Sequence, residues 1–237
     1  MLKIFETEAE LAQAVAGEML TQLENENEPM FCLAAGSTGT SSFKTFSDEV
    51  SAEQLEKFRF ASLDEWVGVS GDVVGTCYQM LNDDLFKRLP IAPEQVTFFE
   101  TKGTDLAAEC AKLDATIAAR PLTFSLMGVG MNGHIGLNEP GMPVLDHASV
   151  VKLSDTTKRV MQKYFDEEVA LQEGITLGLA QILSSKHVIV ALIGAHKADI
   201  AKEIFENPEA NLPAQYFLNR GNVDFYLDAA AASKLIK

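Results

Sequence analysis

The sequence predicts an α/β fold: a mainly parallel open sheet, Rossmann-like, with helices on both faces of one domain. Short apolar runs of strand length, such as "MFCLAAG", "TFSLMGVG" and "HVIVALIG", read as buried strands. Segments of helical periodicity separate them, the spacing expected of right-handed β-α-β units. A chain of 237 residues, 47% of them hydrophobic, is also long enough to bury one substantial core.

The elements follow in order. Thr7 and Glu10 stand in capping-box spacing, and Leu11, Val15, Met19 and Leu23 recur four apart, which predicts an amphipathic helix over 7–24. "MFCLAAG" (30–36) is a short strand ending in glycine. "FRFASL" (58–63) is a second, delivering the chain to Asp64 and Glu65. Helical periodicity returns over 75–88 and 104–119, with the strands "VTFFE" and "TFSLMGVG" after each. A helix is predicted from Ser154 to 166 and another over 175–185. "HVIVALIG" (187–194) is the clearest central strand, and Lys197 opens the helix after it. Pro208 and Pro213 punctuate a loop before the last strand, "VDFYL".

Composition narrows the function. The net charge is −15, from 34 acidic against 19 basic residues, which argues against nucleic acid or an anionic membrane as partner. It does not argue against a small anion, because a few local cations and backbone N–H groups suffice to bind one. Cys32, Cys77 and Cys110 are odd in number and widely spaced, so they are expected as reduced, mostly buried thiols. With no basic, apolar leader and no apolar run near the roughly 20 residues of a spanning helix, a cytoplasmic protein is expected.

In sheets of this kind ligands bind beyond the carboxyl ends of the strands. Four such ends are chemically unusual: "AAGSTG", "DEWVG", "GVGMNGHIGLNEPG" (128–141) and "GAHK". Gly128, Gly130 and Gly133 spell G-x-G-x-x-G, but a dinucleotide site needs a helix starting inside the motif. Gly136, Asn138, Pro140 and Gly141 break any such helix. An ordinary glycine turn leaves His134 and Glu139, five residues apart beside two asparagines, without a purpose; a histidine beside a carboxylate can shuttle protons near neutrality. The loop Gly36, Ser37, Thr38 and Gly39 is either a phosphate cradle or a simple capped turn. Asp64 is either a base, made stronger by burial near Trp66 and Val67, or a helix-capping acid. No metal-ligand spacing occurs, so a metal-free site is expected.

Together "SLDEWVGV" (62–69), "GVGMNGHIGLNEPG", the "AAGSTG" loop and "IGAHKA" (193–198) resemble, in order and spacing, the glucosamine-6-phosphate deaminases, also called isomerases. The resemblance spans nearly the whole chain. The related 6-phosphogluconolactonases share the glycine loop, but not its tail Leu137, Asn138, Glu139, Pro140.

The resemblance implies a cofactor-free conversion of glucosamine 6-phosphate to fructose 6-phosphate and ammonia. Asp64 moves a proton from C2 to C1; His134 opens the ring, oriented by Glu139 and Asn132. The phosphate lies between Gly36–Gly39 and two cations, Lys163 and Lys197. The family often has aspartate where this chain has Asn132, arginine at Lys163, proline at Gly39 and tyrosine at Trp66. An amide holds an imidazole without stabilising its charge, and lysine lacks arginine's fork. Residues 142–170 correspond to a mobile lid, made basic by Lys152, Lys158, Arg159 and Lys163. Met142, Ser149 and Val151 stand where regulated relatives bind an activator, so an unregulated monomer or small homo-oligomer is implied. Galactosamine 6-phosphate as substrate, lactone hydrolysis and non-catalytic sugar-phosphate sensing are the competing readings.

Overall fold

Alternation along the buried strands sends successive side chains to opposite faces of one sheet. Phe31 and Leu33 pack on one face with Phe60, Phe124, Leu126 and Ile189. Cys32 and Ala34 pack on the other with Ala61, Met127, Val188 and Val190. Both faces are therefore apolar, as a sheet covered by helices on each side requires. The structure, a computed structural model, describes residues 1–236.

In chain order the elements are β1 (Leu2–Phe5), α1 (Glu8–Asn25), β2 (Met30–Leu33), α2 (Thr40–Glu49), α3 (Ala52–Leu55), β3 (Arg59–Ala61), β4 (Asp64–Trp66), α4 (Cys77–Asp84) and β5 (Val96–Thr97). There follow α5 (Leu106–Ala119), β6 (Phe124–Gly128), β7 (Ser149–Lys152), α6 (Asp155–Met161), β8 (Glu173–Thr176), α7 (Leu179–Leu183), β9 (His187–Leu192), α8 (Ala198–Glu206) and β10 (Val223–Asp228). The main sheet has seven strands in the order β1-β10-β9-β6-β2-β3-β5, every neighbouring pair parallel. From β2 the chain winds outward through β3 and β5, then returns to β6 on β2's other side and winds the opposite way. The loops after β2 and β6 consequently diverge and leave a crevice between them, the usual place for a ligand in such a sheet.

Helix α1 starts where the sequence predicts. Thr7 accepts from the Glu10 N–H at 3.2 Å, and the Glu10 carboxylate accepts from the Thr7 N–H at 3.2 Å. Its apolar stripe of Leu11, Val15, Met19 and Leu23 is buried with the phenylalanine-rich face. The opposite face is covered by Leu113 and Ile117 of α5, Ile182 of α7, and Ile200 and Ile204 of α8. No helix among the described residues is long and apolar enough to cross a membrane.

Three expectations need correction. The run 58–63 is not one strand carrying Asp64 at its tip: β3 stops at Ala61, and Asp64 opens β4 in a second, three-stranded antiparallel sheet, β4-β8-β7. The helix expected over 175–185 is instead the end of β8 followed by the short α7. Gly174 and Gly178 explain this. A side chain at Gly174 would meet the Leu137 side chain at 2.1 Å, and one at Gly178 the Leu145 carbonyl oxygen at 2.3 Å, so both mark close approaches of extended chain. The helix expected over 154–166 ends at Met161 and tightens into a 3-10 turn over 162–164. A third apolar cluster, including Trp66, Leu137, Val151 and Phe165, ties the small sheet to these segments.

Candidate functional site

The crevice between β2 and β6 is the mouth of a pocket. Ala34–Thr38 after β2, Asp64 and Trp66 of β4, Cys77 and Met80 of α4, and Gly128–Met131 with His134 after β6 line it. Lys163 and Tyr164 beyond α6, and His196 and Lys197 before α8, complete it. Four strand ends singled out by sequence thus converge on one cavity.

Of the two adjacent acids, Glu65 takes the capping role. Its carboxylate, 2% exposed, accepts from the N–H groups of Trp66 at 2.9 Å, Cys77 at 3.0 Å and Tyr78 at 2.8 Å, which fixes the start of α4 against β4. Strand alternation then turns Asp64 the other way, into the pocket. Burial, and secondly the charge of Glu65, push the Asp64 carboxyl up to about 7; a hydrogen bond from Cys77 opposes this. Asp64 is therefore a carboxylate with the proton affinity of a neutral-pH base.

His134 is held from behind. Its Nδ1 lies 2.7 Å from Asn132 Oδ1, 3.2 Å from Thr157 Oγ1 and 3.7 Å from Glu139 Oε2. Asn132 Nδ2 donates to Glu139 Oε2 at 2.8 Å and Ser154 Oγ at 3.2 Å, so the amide oxygen is the atom facing the ring. Nδ1 must then carry the proton, leaving the Nε2 lone pair free. Burial depresses the imidazole's affinity for a second proton, Lys197 adds to this, and the Glu139 charge works against it. Neutral His134 with a bare Nε2 is a proton acceptor at pH 7. Glu139 also accepts from the Ser154 N–H at 3.1 Å, which couples the loop to the start of α6. Asn132 and Glu139 stand behind His134 and do not line the pocket.

The glycines of the loop make room rather than bind pyrophosphate, and no helix starts within 128–141. A side chain at Gly130 would meet the His134 ring at 2.1 Å, and one at Gly128 would meet Thr38 Oγ1 at 2.5 Å. The pocket's other end is cationic. Lys197 Nζ donates to the Val129 carbonyl at 2.6 Å, and its ammonium is pulled down to about 8 by burial and by Lys163. Lys163 Nζ sits 4.7 Å from the centre of the Tyr164 ring. Gly36, Ser37 and Thr38 line the same end, whereas Gly39 is buried at the start of α2, where a side chain would meet the Phe43 ring at 2.3 Å. Two repelling ammonium groups beside a glycine-hydroxyl turn leave positive charge and N–H donors of the kind an anion needs.

Sequence reasoning passed over Cys77, Tyr164 and His196, which also line the pocket, and Thr157 behind His134. His196 had a signal, its position beside Lys197 in "GAHK"; Cys77 had none, since it lies far from any other motif residue in the chain. His187, outside the pocket, lies between Glu18 at 3.5 Å and Asp224 at 3.3 Å and is structural.

Fold and site define a class: an α/β protein whose crevice brings a neutral histidine and a carboxyl of raised proton affinity together with two lysines. The chain belongs to the family described as glucosamine-6-phosphate isomerases/6-phosphogluconolactonase, whose model matches residues 6–226. It is 33% identical over 214 residues to a glucosamine-6-phosphate deaminase of Pediococcus pentosaceus, covering 86% of each chain. With that of Enterococcus faecalis the identity is 32% over 225 residues, covering 93% of this chain and 94% of the relative. A solved monomeric glucosamine-6-phosphate deaminase superposes with a TM-score of 0.91 at 27% identity, over 98% of this chain and 99% of that one. The 6-phosphogluconolactonase from Trypanosoma brucei, at 22% identity, TM-score 0.77 and coverage of 100% and 98%, shares the fold.

Proposed function

We propose that the protein is a glucosamine-6-phosphate deaminase: it converts glucosamine 6-phosphate and water to fructose 6-phosphate and ammonia. The observation that carries this reading is the pairing, in one pocket, of a neutral His134 with a free Nε2 and an Asp64 carboxyl of near-neutral proton affinity. A sugar ring needs one group to open it and another to move a carbon-bound proton, and these two supply both.

The phosphate is held by the Gly36–Thr38 turn with Lys163 and Lys197, which fixes the sugar's far end and leaves C1 and C2 for the acids and bases. His134 Nε2 takes the proton of the C1 hydroxyl and returns a proton to the ring oxygen as the ring opens. The transient imidazolium faces Glu139 at 3.7 Å through the Asn132 bridge. Asp64 then removes the C2 proton, giving an enolamine, and delivers it to C1. The resulting C2 imine is hydrolysed by water, releasing ammonia. Each positioned acid or base supplies roughly 10² to 10⁴ in rate. Residues 142–170, which contribute Lys163 and Tyr164 to the wall, act as a lid over the bound anion. The likeness to a solved monomeric glucosamine-6-phosphate deaminase over nearly the whole chain supports a monomer. A phosphorylated sugar is retained inside cells, which supports a cytoplasmic site of action.

Ammonia release from a panel of 6-phosphorylated amino sugars tests the reading. Glucosamine 6-phosphate is expected to be turned over; faster turnover of galactosamine 6-phosphate would reassign the substrate, and hydrolysis of 6-phosphogluconolactone without ammonia release would reassign the reaction.

A further inference from the structure

Cys77 begins α4 with its backbone clamped: its N–H donates to Glu65 Oε1 at 3.0 Å, and the helix is capped by Thr76, which accepts from the Gln79 N–H at 3.2 Å. The clamp leaves the side chain, 5% exposed, directed at Asp64, with Sγ 3.5 Å from Oδ1. Among the described residues this is the one side-chain hydrogen bond that the Asp64 carboxylate accepts. We propose that Cys77 is a positioning residue for Asp64: its thiol is the donor that aims the carboxylate into the pocket and sets how firmly it holds a proton. The inference rests on the reading of Asp64 as the C2 base.

Three features fit a donor of this kind. Burial and the neighbouring charges of Asp64 and Glu65 push the Cys77 thiol well above its usual range, so it keeps its proton and remains a donor throughout the working pH. A thiol is also a weak donor, so it orients the carboxylate while stabilising its charge less than a hydroxyl does. The neighbouring groups do not orient Asp64 by donation: Glu65 beside it in β4 is an acid committed to three N–H groups, and the thiol of Cys32 in β2 makes no hydrogen bond to it, whereas that of Cys77 does. His134, Lys163, Tyr164, His196 and Lys197 are the remaining titratable groups of the pocket.

The test uses Cys77→Ser and Cys77→Ala in the full-length protein, with far-UV circular dichroism confirming that both fold. Two readouts are followed against pH: kcat/KM for glucosamine 6-phosphate, and the carboxyl resonance of Asp64 in protein labelled with ¹³C-aspartate, assigned by its loss in Asp64→Asn. The stronger hydroxyl donor of Cys77→Ser is expected to move both transitions down by about half a pH unit, and Cys77→Ala to move both up by about as much. At pH 6 kcat/KM then rises about threefold in the first and falls about threefold in the second, with KM little changed. An Asp64 resonance that titrates alike in all three proteins overturns the proposal. A resonance that moves while the kcat/KM profile stays in place upholds the contact and removes Asp64 from the role of base.

Discussion

Asp64 and Glu65 are neighbours with opposite assignments, and the difference is one of hydrogen bonds. Glu65 receives three N–H groups; Asp64 receives one thiol and keeps a costly charge near the pocket floor. A carboxyl at about 7 in the folded protein still holds its proton where the unfolded chain, at its ordinary 3.8, has lost it. Stability therefore falls as pH rises from about 4 to about 7, and the deficit is full above pH 7. Asp64→Asn is expected to abolish ammonia release while raising the unfolding free energy at pH 8 by about 4 kcal/mol, at about 1.4 kcal/mol for each of the roughly three pKa units, and by very little at pH 4. Chemical denaturation at the two pH values checks this. At Asn132 the expectation is a different one. Asn132→Asp places a second negative charge 2.7 Å from His134 Nδ1, so the imidazole should protonate at higher pH, followed by its Cε1 proton resonance.

At the scale of elements, β4 and α4 are joined through Glu65, and the site inherits that joint. Glu65→Ala leaves the N–H groups of Trp66, Cys77 and Tyr78 without a partner in a buried place and should cost about 3 kcal/mol in urea unfolding, whereas Glu65→Gln should recover part of it. The same scale shows what a sequence reveals. β2, β6 and β9 were legible because strands buried on both faces are apolar at nearly every position, Ser125 and His187 being the exceptions, and α1 because its cap and stripe are both local. β4 was not: three residues, Asp-Glu-Trp, carry no alternation of strand length. β8 was read as helix because Ile175, Leu179 and Ile182 fall at helical spacing while serving two different elements. His134, Glu139 and Asp64 were legible from their motifs. Cys77 was not, because its only claim to function is proximity created by folding.

Across the whole molecule, an acidic protein of net charge −15 places two lysines, Lys163 and Lys197, in the wall of one pocket, where the proposed function puts the phosphate. On the roles proposed for them, the titrations of Asp64 and Lys197 bound activity and lie close together: Asp64 loses its proton near 7, and Lys197 keeps its own up to about 8. The kcat/KM profile for the free enzyme is therefore expected to be a narrow bell, rising through about pH 7 and falling beyond about pH 8. Lys197→Arg, which cannot deprotonate, should remove the alkaline fall; an unchanged fall would take Lys197 out of the clamp. Lys163→Ala should weaken binding of the sugar phosphate far more than that of the unphosphorylated sugar, measured by calorimetry.

The strand order also governs how the protein is made. β1 pairs with β10 alone, Leu2 opposite Phe225, and β10 lies between β1 and β9 inside the sheet. On the ribosome the first strand waits for the last, through roughly 200 residues of synthesis at about 5–20 residues per second, or some 10 to 40 seconds. Over the last part of that interval, between His187–Leu192 and Val223–Asp228, β9 with its run of buried valine, isoleucine and leucine has an open edge. The nascent chain is thus most exposed to aggregation between the synthesis of β9 and that of β10.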